Sequence, residues 1–287
     1  MRVKGDFLGY EYSMARRFPD HPRHWQRIAR REFGRFITEI ELIDGAGRHI
    51  LWNARRHRKG LGPFSDRKRA RTRTFTQHLN RPIALLFIVG ASLFFAGSLM
   101  SLLGADSAFR EDGVFFVGSI FFTSAAYVQY LQSINNSEDV HLANADGRWR
   151  PWAWQPGRID FWVTATQFLG ALFFNFNTYD SFASHTKAEE LLSVWIPDII
   201  GSILFMISGS LSVVEFNTRP IFWPRSSLQS AITVVNFWGC VFFMGSALLA
   251  LGAILAPGGI SGNLSLALTA AGAVAFFASS TLMLFEK

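Results

Sequence analysis

Long apolar stretches alternate with short polar ones along the last two thirds of the chain. Each stretch is close to the roughly 20 residues that an α-helix needs to cross the hydrocarbon core of a bilayer. We therefore predict an all-α membrane protein with six transmembrane helices. The predicted spans lie near 83–103, 113–132, 159–178, 196–215, 228–254 and 264–285.

The region before the first span, residues 1–81, has a different pattern. From Pro22 to Ile40 apolar positions recur at helical spacing, which predicts an amphipathic helix. The segments EIELI and RHILW then flank the turn signal Asp44-Gly45-Ala46-Gly47 and predict a short β-hairpin; a helix that continues through Glu41 is the alternative. We expect a small basic α+β region here.

An internal repeat groups the six spans into three helical hairpins. The frames GSIFFTSAAYVQYLQ, GSILFMISGSLSVVE and GAVAFFASSTLMLFE begin at Gly118, Gly201 and Gly272 and share Phe at the fourth position after the glycine. The segments QFLGALFF and NFWGCVFF match each other in the preceding spans, with FIVG as a degenerate first copy. Parallel repeats of this kind predict a pseudo-symmetry axis along the membrane normal. The predicted hairpins are 82–132, 159–215 and 228–287, joined by a Trp-rich linker at 133–158 and a loop at 216–227.

Small residues recur in every predicted span, where they let helix backbones approach closely. We predict that these glycines pack at helix crossings, with hinges as the alternative. They are Gly90, Gly118, Gly170, Gly201, Gly239 and Gly272.

Two sets of polar residues are the candidate sites. Gln132, Glu215 and Glu286 close the three frames at matching positions, and we interpret them as interfacial caps or as a ring that binds a cation or a partner. Gln167 and Asn236 lie about 12 Å inside their helices at 1.5 Å per residue, so both amides are at membrane depth. They make interhelical hydrogen bonds, or they line a solute or ion site between the repeats.

Basic residues are concentrated at one predicted side of the membrane. Of the 28 Lys and Arg residues, 20 precede Pro82, and only Arg110 and Lys187 fall in the loops of the opposite side. This asymmetry predicts that both termini are cytoplasmic. The polybasic run from Asn53 to Arg81 ends at the first span, so we interpret it as an anchor to anionic headgroups; nucleic-acid binding is the less favoured alternative.

Catalytic and metal-binding patterns are missing from the sequence. No P-loop, GxSxG, HExxH or Rossmann fingerprint occurs, and no His lies in a predicted span. Cys240 is the single cysteine, which excludes an intrachain disulfide. We expect neither catalytic residues nor a cofactor or metal.

The strings FFVGSIFFTSAAYVQYLQ, QFLGALFFNFNTY, VWIPDIIGSILFMISGSLSVVE and WNARRHRKG resemble those of uncharacterised bacterial integral membrane proteins. The single hairpins are similar, more faintly, to the YrhK-like membrane domain. The resemblance implies a bacterial plasma-membrane location and no site residues. From the residues themselves we predict a non-enzymatic scaffold or interaction protein that binds lipid, a protein partner or a second copy of the chain. The alternative is passive transport of a small solute or ion between the hairpins.

Overall fold

The computed structural model is mostly helical and describes residues 26–61, 70–104, 108–136, 149–183, 186–216, 227–256 and 260–286. A three-stranded sheet lies at one end of a bundle of long helices, and we call this end the sheet end and the opposite one the far end. The strands are β1 (Gln26–Phe33), β2 (Phe36–Ile43) and β3 (His49–Asn53). The helices are α1 (Ala54–Arg58), α2 (Ala70–Leu102), α3 (Ala108–Asn135), α4 (Ile159–Asp180), α5 (Lys187–Glu189), α6 (Ile196–Phe216), α7 (Leu228–Leu255) and α8 (Ser261–Met283), with a π-helical turn at Glu190–Trp195.

The predicted amphipathic helix between Pro22 and Ile40 is wrong, because its described part forms the antiparallel strands β1 and β2. Gly34 has a positive φ of 56° and makes the two-residue turn between them, a conformation that favours glycine and suits a tight hairpin. The alternation of buried Thr38, Ile40 and Leu42 with half-buried neighbours in β2 is a period of two, which dominates over the helical spacing.

The second predicted hairpin is confirmed. β2 and β3 pair antiparallel, with Ile43 opposite His49. Asp44 organises the loop, because its Oδ1 accepts hydrogen bonds from the backbone N–H groups of Ala46 and Arg48, both at 2.9 Å. Ile40 and Leu42 then pack with Trp52 and with Ile159 of α4, so the sheet is held against the end of the bundle.

In the described residues, six long helices form a closed ring in which each packs against two neighbours. The order around the ring is α2, α3, α4, α6, α7 and α8, and α8 contacts α2. Among the described residues, five helices are long and apolar enough to cross a membrane, which indicates a membrane protein. The remaining predicted span corresponds to α4, a 22-residue helix that is not among the five.

The helix that carries the second frame begins earlier than predicted. The predicted span begins near residue 196, which would put Asp198 in the first turn of the helix, where the helix dipole stabilises a carboxylate. The chain is instead already helical from Lys187, through α5 and the π-helical turn. Asp198 therefore lies inside a continuous helical segment and loses that explanation.

The predicted packing glycines face one another in pairs. A Cβ atom on Gly90 would lie 3.0 Å from the carbonyl oxygen of Gly118, and one on Gly170 would lie 3.0 Å from that of Gly201. In the third pair, a Cβ atom on Gly272 would lie 3.2 Å from the carbonyl oxygen of Gly239. In each pair the two backbones are too close for a larger residue.

Six phenylalanine side chains fill the middle of the ring, each four residues after one of these glycines. The rings of Phe122, Phe205 and Phe276 contact one another with centroids 5.5 to 6.3 Å apart. These contacts join α3, α6 and α8, which are not neighbours around the ring, so the cluster occupies its centre. All six are buried, and they are Phe94, Phe122, Phe174, Phe205, Phe243 and Phe276.

Candidate functional site

The site begins with a short helix whose two ends are both capped. In the segment WNARRHRKG, the Asn53 side chain accepts hydrogen bonds from the backbone N–H groups of Arg55 and Arg56 at the start of α1. At its end, Gly60 has a φ of 71°, and the N–H groups of Gly60 and Leu61 bond the carbonyls of His57 and Arg56. This is a Schellman motif, in which glycine supplies the left-handed residue. Residues next to α1 in the sequence thus fix both of its ends, through the Asn53 side chain at the start and backbone hydrogen bonds at the end.

Three basic side chains of this segment point into the bundle. Arg55, Arg58 and Lys59 are 4%, 1% and 3% exposed, although they lie in the polybasic run that was interpreted as a headgroup anchor. They are spaced i, i+3 and i+4, so they share one face of the helical turn. This face meets the ends of α6 and α8.

Glu215 and Glu286 form ion pairs with these basic side chains. Arg58 Nη2 lies 3.1 Å from Glu215 Oε2, and both side chains are almost completely buried. Lys59 Nζ forms an ion pair with Glu286 Oε2, and Arg55 Nε lies 3.8 Å from Glu286 Oε1. Arg55 also donates a hydrogen bond of 3.4 Å to Ser212 of α6. Glu215 is therefore fully buried and does not meet water as an interfacial cap would.

Gln132, the third member of the matching set, joins the same site through α2. Its Nε2 donates to the Thr76 carbonyl at 2.7 Å and to Asn80 Oδ1 at 2.8 Å. Asn80 in turn donates to the Lys59 carbonyl, and Gln77 donates to the Gly60 carbonyl. The structure therefore brings Gln132, Glu215 and Glu286 to one segment: the two acids contact its basic side chains, and the amide reaches its backbone indirectly, through Asn80.

A further contact fixes α1 to the end of α3. The Nδ2 of Asn136 donates to the carbonyls of Arg58, at 3.1 Å, and of His57. His57 Nε2 lies 2.9 Å from the Asn136 carbonyl oxygen. We call the segment Trp52–Gly60, docked in this way, the basic plug.

The plug brings three cations to two carboxylates. Burial raises the pKa of Glu286, but the charges of Lys59 and Arg55 outweigh it and bring that pKa down to about 2. Burial lowers the pKa of Lys59 to about 8, and the charge of Arg55 acts in the same direction. The lowered pKa of Glu286 follows from the surplus of positive charge at the site, whereas that of Lys59 follows from burial and from the same surplus.

Gln167 and Asn236 do not form such a site. Gln167 is 8% exposed and Asn236 is half-buried, and in the described part of the chain neither amide is hydrogen-bonded to the other. Each lies three residues before a paired glycine, the position that Phe87 occupies in α2, and Phe87 belongs to the aromatic core. The two amides thus border a packed apolar centre.

The Trp-rich segment lies beside the sheet. Trp149, Trp152 and Trp154 are exposed to 40%, 59% and 63%. Arg35, in the turn between β1 and β2, donates a hydrogen bond of 3.2 Å to the Pro156 carbonyl. The tip of the first hairpin and the exposed indole rings are therefore at the same level of the molecule.

The basic plug was missed at the sequence level, although its signals are present. Asn53 and Gly60 are the capping residues of a short helix, and three basic residues share the face between them. The sequence does not show which acids these basic residues meet, because the partners are far apart along the chain. Arg58 and Glu215 are separated by 157 residues, and Lys59 and Glu286 by 227.

Comparison of the chain with protein-family models, with curated proteins and with solved structures finds no match. The resemblance of its hairpins to YrhK-like domains stays a prediction.

Proposed function

We propose that the protein is a non-enzymatic membrane scaffold that holds its N-terminal sheet, with the arginines of the first hairpin, against the anionic headgroups of the cytoplasmic leaflet. In this proposal the three hairpins are copies of one unit that span the bacterial plasma membrane six times, with the sheet end in the cytoplasm. The matching glycine pairs and the matching phenylalanines support the repeat. The concentration of basic residues at the sheet end supports the orientation.

The observation that carries the proposal is the basic plug. Its ion pairs with α6 and α8 are buried, so they fix the orientation of the sheet relative to the helices. A region that only tethered itself to lipid would need no such pairing. The helices thereby act as a rigid base for the sheet.

The surroundings of the sheet favour lipid as its partner. Exposed Trp side chains prefer the headgroup level of a bilayer, and Trp152 and Trp154 lie beside the tip of the first hairpin. The same hairpin carries Arg35, which is exposed at its tip, and Arg31, which is 59% exposed and pairs with Glu39 at 3.2 Å. Each basic residue near an anionic surface contributes about 1 kcal/mol of attraction.

The alternative of a solute pathway finds no support in the centre of the ring. Rings from non-neighbouring helices are in contact there, with centroids as close as 5.5 Å between Phe122 and Phe276. A polar solute would have to displace these side chains, and a buried polar group without a hydrogen bond is costly.

The test is lipid retention by the full chain. We expect the double variant Arg31→Gln/Arg35→Gln to retain less phosphatidylglycerol than wild type when both are extracted from mixed phosphatidylglycerol and phosphatidylcholine membranes and read by native mass spectrometry. The matched control, Arg48→Gln/Lys187→Gln, also removes two positive charges, from the other loop of the sheet and from the far end. Deletion of residues 1–58 is unsuitable, because it would remove Arg55 and Arg58 and leave Glu215 buried without its partner.

Two results would overturn the lipid proposal. One is equal phosphatidylglycerol retention by both double variants. The other is unchanged lipid together with the loss of a co-purifying protein in the Arg31→Gln/Arg35→Gln variant, which would make the sheet a docking surface for protein.

A further inference from the structure

A pocket of about 410 Å³ opens at the far end of the bundle, away from the basic plug and the sheet. Its walls come from α4, from the π-helical turn, and from α6, α7 and α8, so it lies between the second and third hairpins. Its volume falls within the range of sites that bind small molecules. The apolar part of its lining includes Val194, Ala250, Ala253, Ile254 and Leu266.

Asp198 provides a carboxylate in this wall, and no other role in the fold accounts for it. It lies three residues before Gly201, and the matching positions of the other two frames are Phe115 and Thr269. Because the helical segment begins at Lys187, the dipole of a helix start does not stabilise Asp198. Asp198 is half-buried near the far end of a segment that is long and apolar enough to cross a membrane, and a carboxylate within such a segment calls for a partner.

The π-helical turn shapes the pocket around this carboxylate. π-Turns are rare and are found frequently at functional sites. Asn177 of α4 donates a hydrogen bond of 2.9 Å from its Nδ2 to the carbonyl of Val194 in the turn, which orients the amide and leaves Oδ1 as an acceptor. Trp195 is fixed on the other side, because its Nε1 donates to the Ala247 carbonyl at 2.8 Å.

The polar groups of the pocket favour a cation that donates hydrogen bonds. Asp198 and Glu190 bring two carboxylates against the single ammonium of exposed Lys187, so the lining has a net negative charge. The Asn177 Oδ1 adds a neutral acceptor. The apolar walls beyond these groups suit a small hydrocarbon body.

We propose that this pocket binds a small primary ammonium compound, with its ammonium group at Asp198 and its apolar part against α7 and α8. The ammonium group has three donors, which match the carboxylate of Asp198 and the acceptors beside it. This chemistry is found both in free amines and in the headgroup of phosphatidylethanolamine. The experiment therefore has an arm for each source.

In the first arm, phenethylammonium is titrated calorimetrically into the full chain held in nanodiscs of phosphatidylglycerol, which has no ammonium group. We expect saturable binding. Asp198→Asn should weaken it about tenfold or more, because the substitution removes the carboxylate that pairs with the ammonium group of the ligand. The matched control is Asp112→Asn, an acid of α3 that does not line the pocket. It should bind as wild type does.

In the second arm, native mass spectrometry follows retained phosphatidylethanolamine after extraction from membranes that contain it. A loss of this lipid in Asp198→Asn and not in Asp112→Asn would identify the headgroup as the ligand, and binding in the first arm alone would identify a free amine. Either result supports the ammonium site. The proposal is overturned if neither ligand is bound, or if Asp198→Asn and wild type bind both equally while their thermal unfolding coincides.

Discussion

Arg58 and Glu215 form an ion pair of 3.1 Å between side chains that are 1% and 0% exposed. Arg58 belongs to a one-turn helix that follows the sheet, and Glu215 to the last turn of a long apolar helix. Water does not solvate either charge, so each charge is stabilised mainly by the other. The pair therefore behaves differently from a surface ion pair when one partner is removed.

The first prediction concerns this pair. Glu215→Gln should lower the free energy of unfolding by about 3 kcal/mol, because loss of one partner leaves the Arg58 charge buried and uncompensated. The double variant Arg58→Met/Glu215→Leu should recover much of this loss, since it removes both charges together. Thermal unfolding in mild detergent, followed by intrinsic fluorescence, measures both.

Arg48→Gln is the control for the first prediction. Arg48 pairs with Asp44 in the loop between β2 and β3, but its side chain is 80% exposed. Loss of such a pair should cost less than about 1 kcal/mol. Equal shifts in Glu215→Gln and Arg48→Gln would contradict the buried pairing.

The second prediction is a loss of stability in acid through Glu286. Its pKa is about 2 in the folded chain against 4.5 for the ordinary group, so between these values the unfolded chain binds more protons. The stabilisation is fully present above pH 4.5 and is lost as the pH falls towards 2, by about 3 kcal/mol in all. Thermal midpoints between pH 2.5 and pH 6 should show this slope in wild type. In Glu286→Gln the slope should be smaller, and an unchanged slope would mean that another group titrates.

The third prediction concerns the close helix crossing. Gly201→Leu should disrupt assembly of the bundle, because even a Cβ atom there would lie 3.1 Å from the Gly170 carbonyl oxygen. Overpacking of this kind typically costs about 1 to 3 kcal/mol. Size-exclusion chromatography after extraction should show a smaller monodisperse fraction. Gly113→Leu is the matched control, since a Cβ atom on Gly113 meets nothing within 4 Å, and similar behaviour of the two variants would argue against tight packing at Gly201.

The fourth prediction concerns the aromatic centre. Phe122→Ala should lower the free energy of unfolding by about 3 to 5 kcal/mol, because it empties a space that four other phenylalanine rings border. Phe277→Ala removes an equally large ring that is 43% exposed and should cost much less in detergent. The free energy of unfolding and the leakage of liposomes that contain each variant are the measurements. If Phe122→Ala matched wild type in both, the centre would not be closely packed.

The hairpin of β2 and β3 could be predicted because its signals are local. The turn residues Asp44 and Gly47 stand between two short apolar segments, and the loop uses them in that way. β1 could not be identified in the same manner, because its residues are nearly all exposed and carry no buried alternation. The prediction of an amphipathic helix in this region rested on a spacing of apolar residues that fits a helix by chance.

The docking of the basic plug was beyond the sequence for a different reason. The matching positions of Gln132, Glu215 and Glu286 indicated that three polar groups lie at one level, but nothing local shows which side chains meet them. A buried ion pair is defined by two surfaces that come together only in the folded chain. Their partners were hidden within a basic run whose usual role is at the headgroups.

The pairing of Lys59 with Glu286 makes the sheet end depend on a residue that is synthesised much later than the sheet itself. Glu286 follows Lys59 by 227 residues, so the acid is not yet made when the basic segment leaves the ribosome. A chain that stops within the third hairpin leaves Lys59 and Arg55 without this carboxylate, and its sheet is held by fewer contacts.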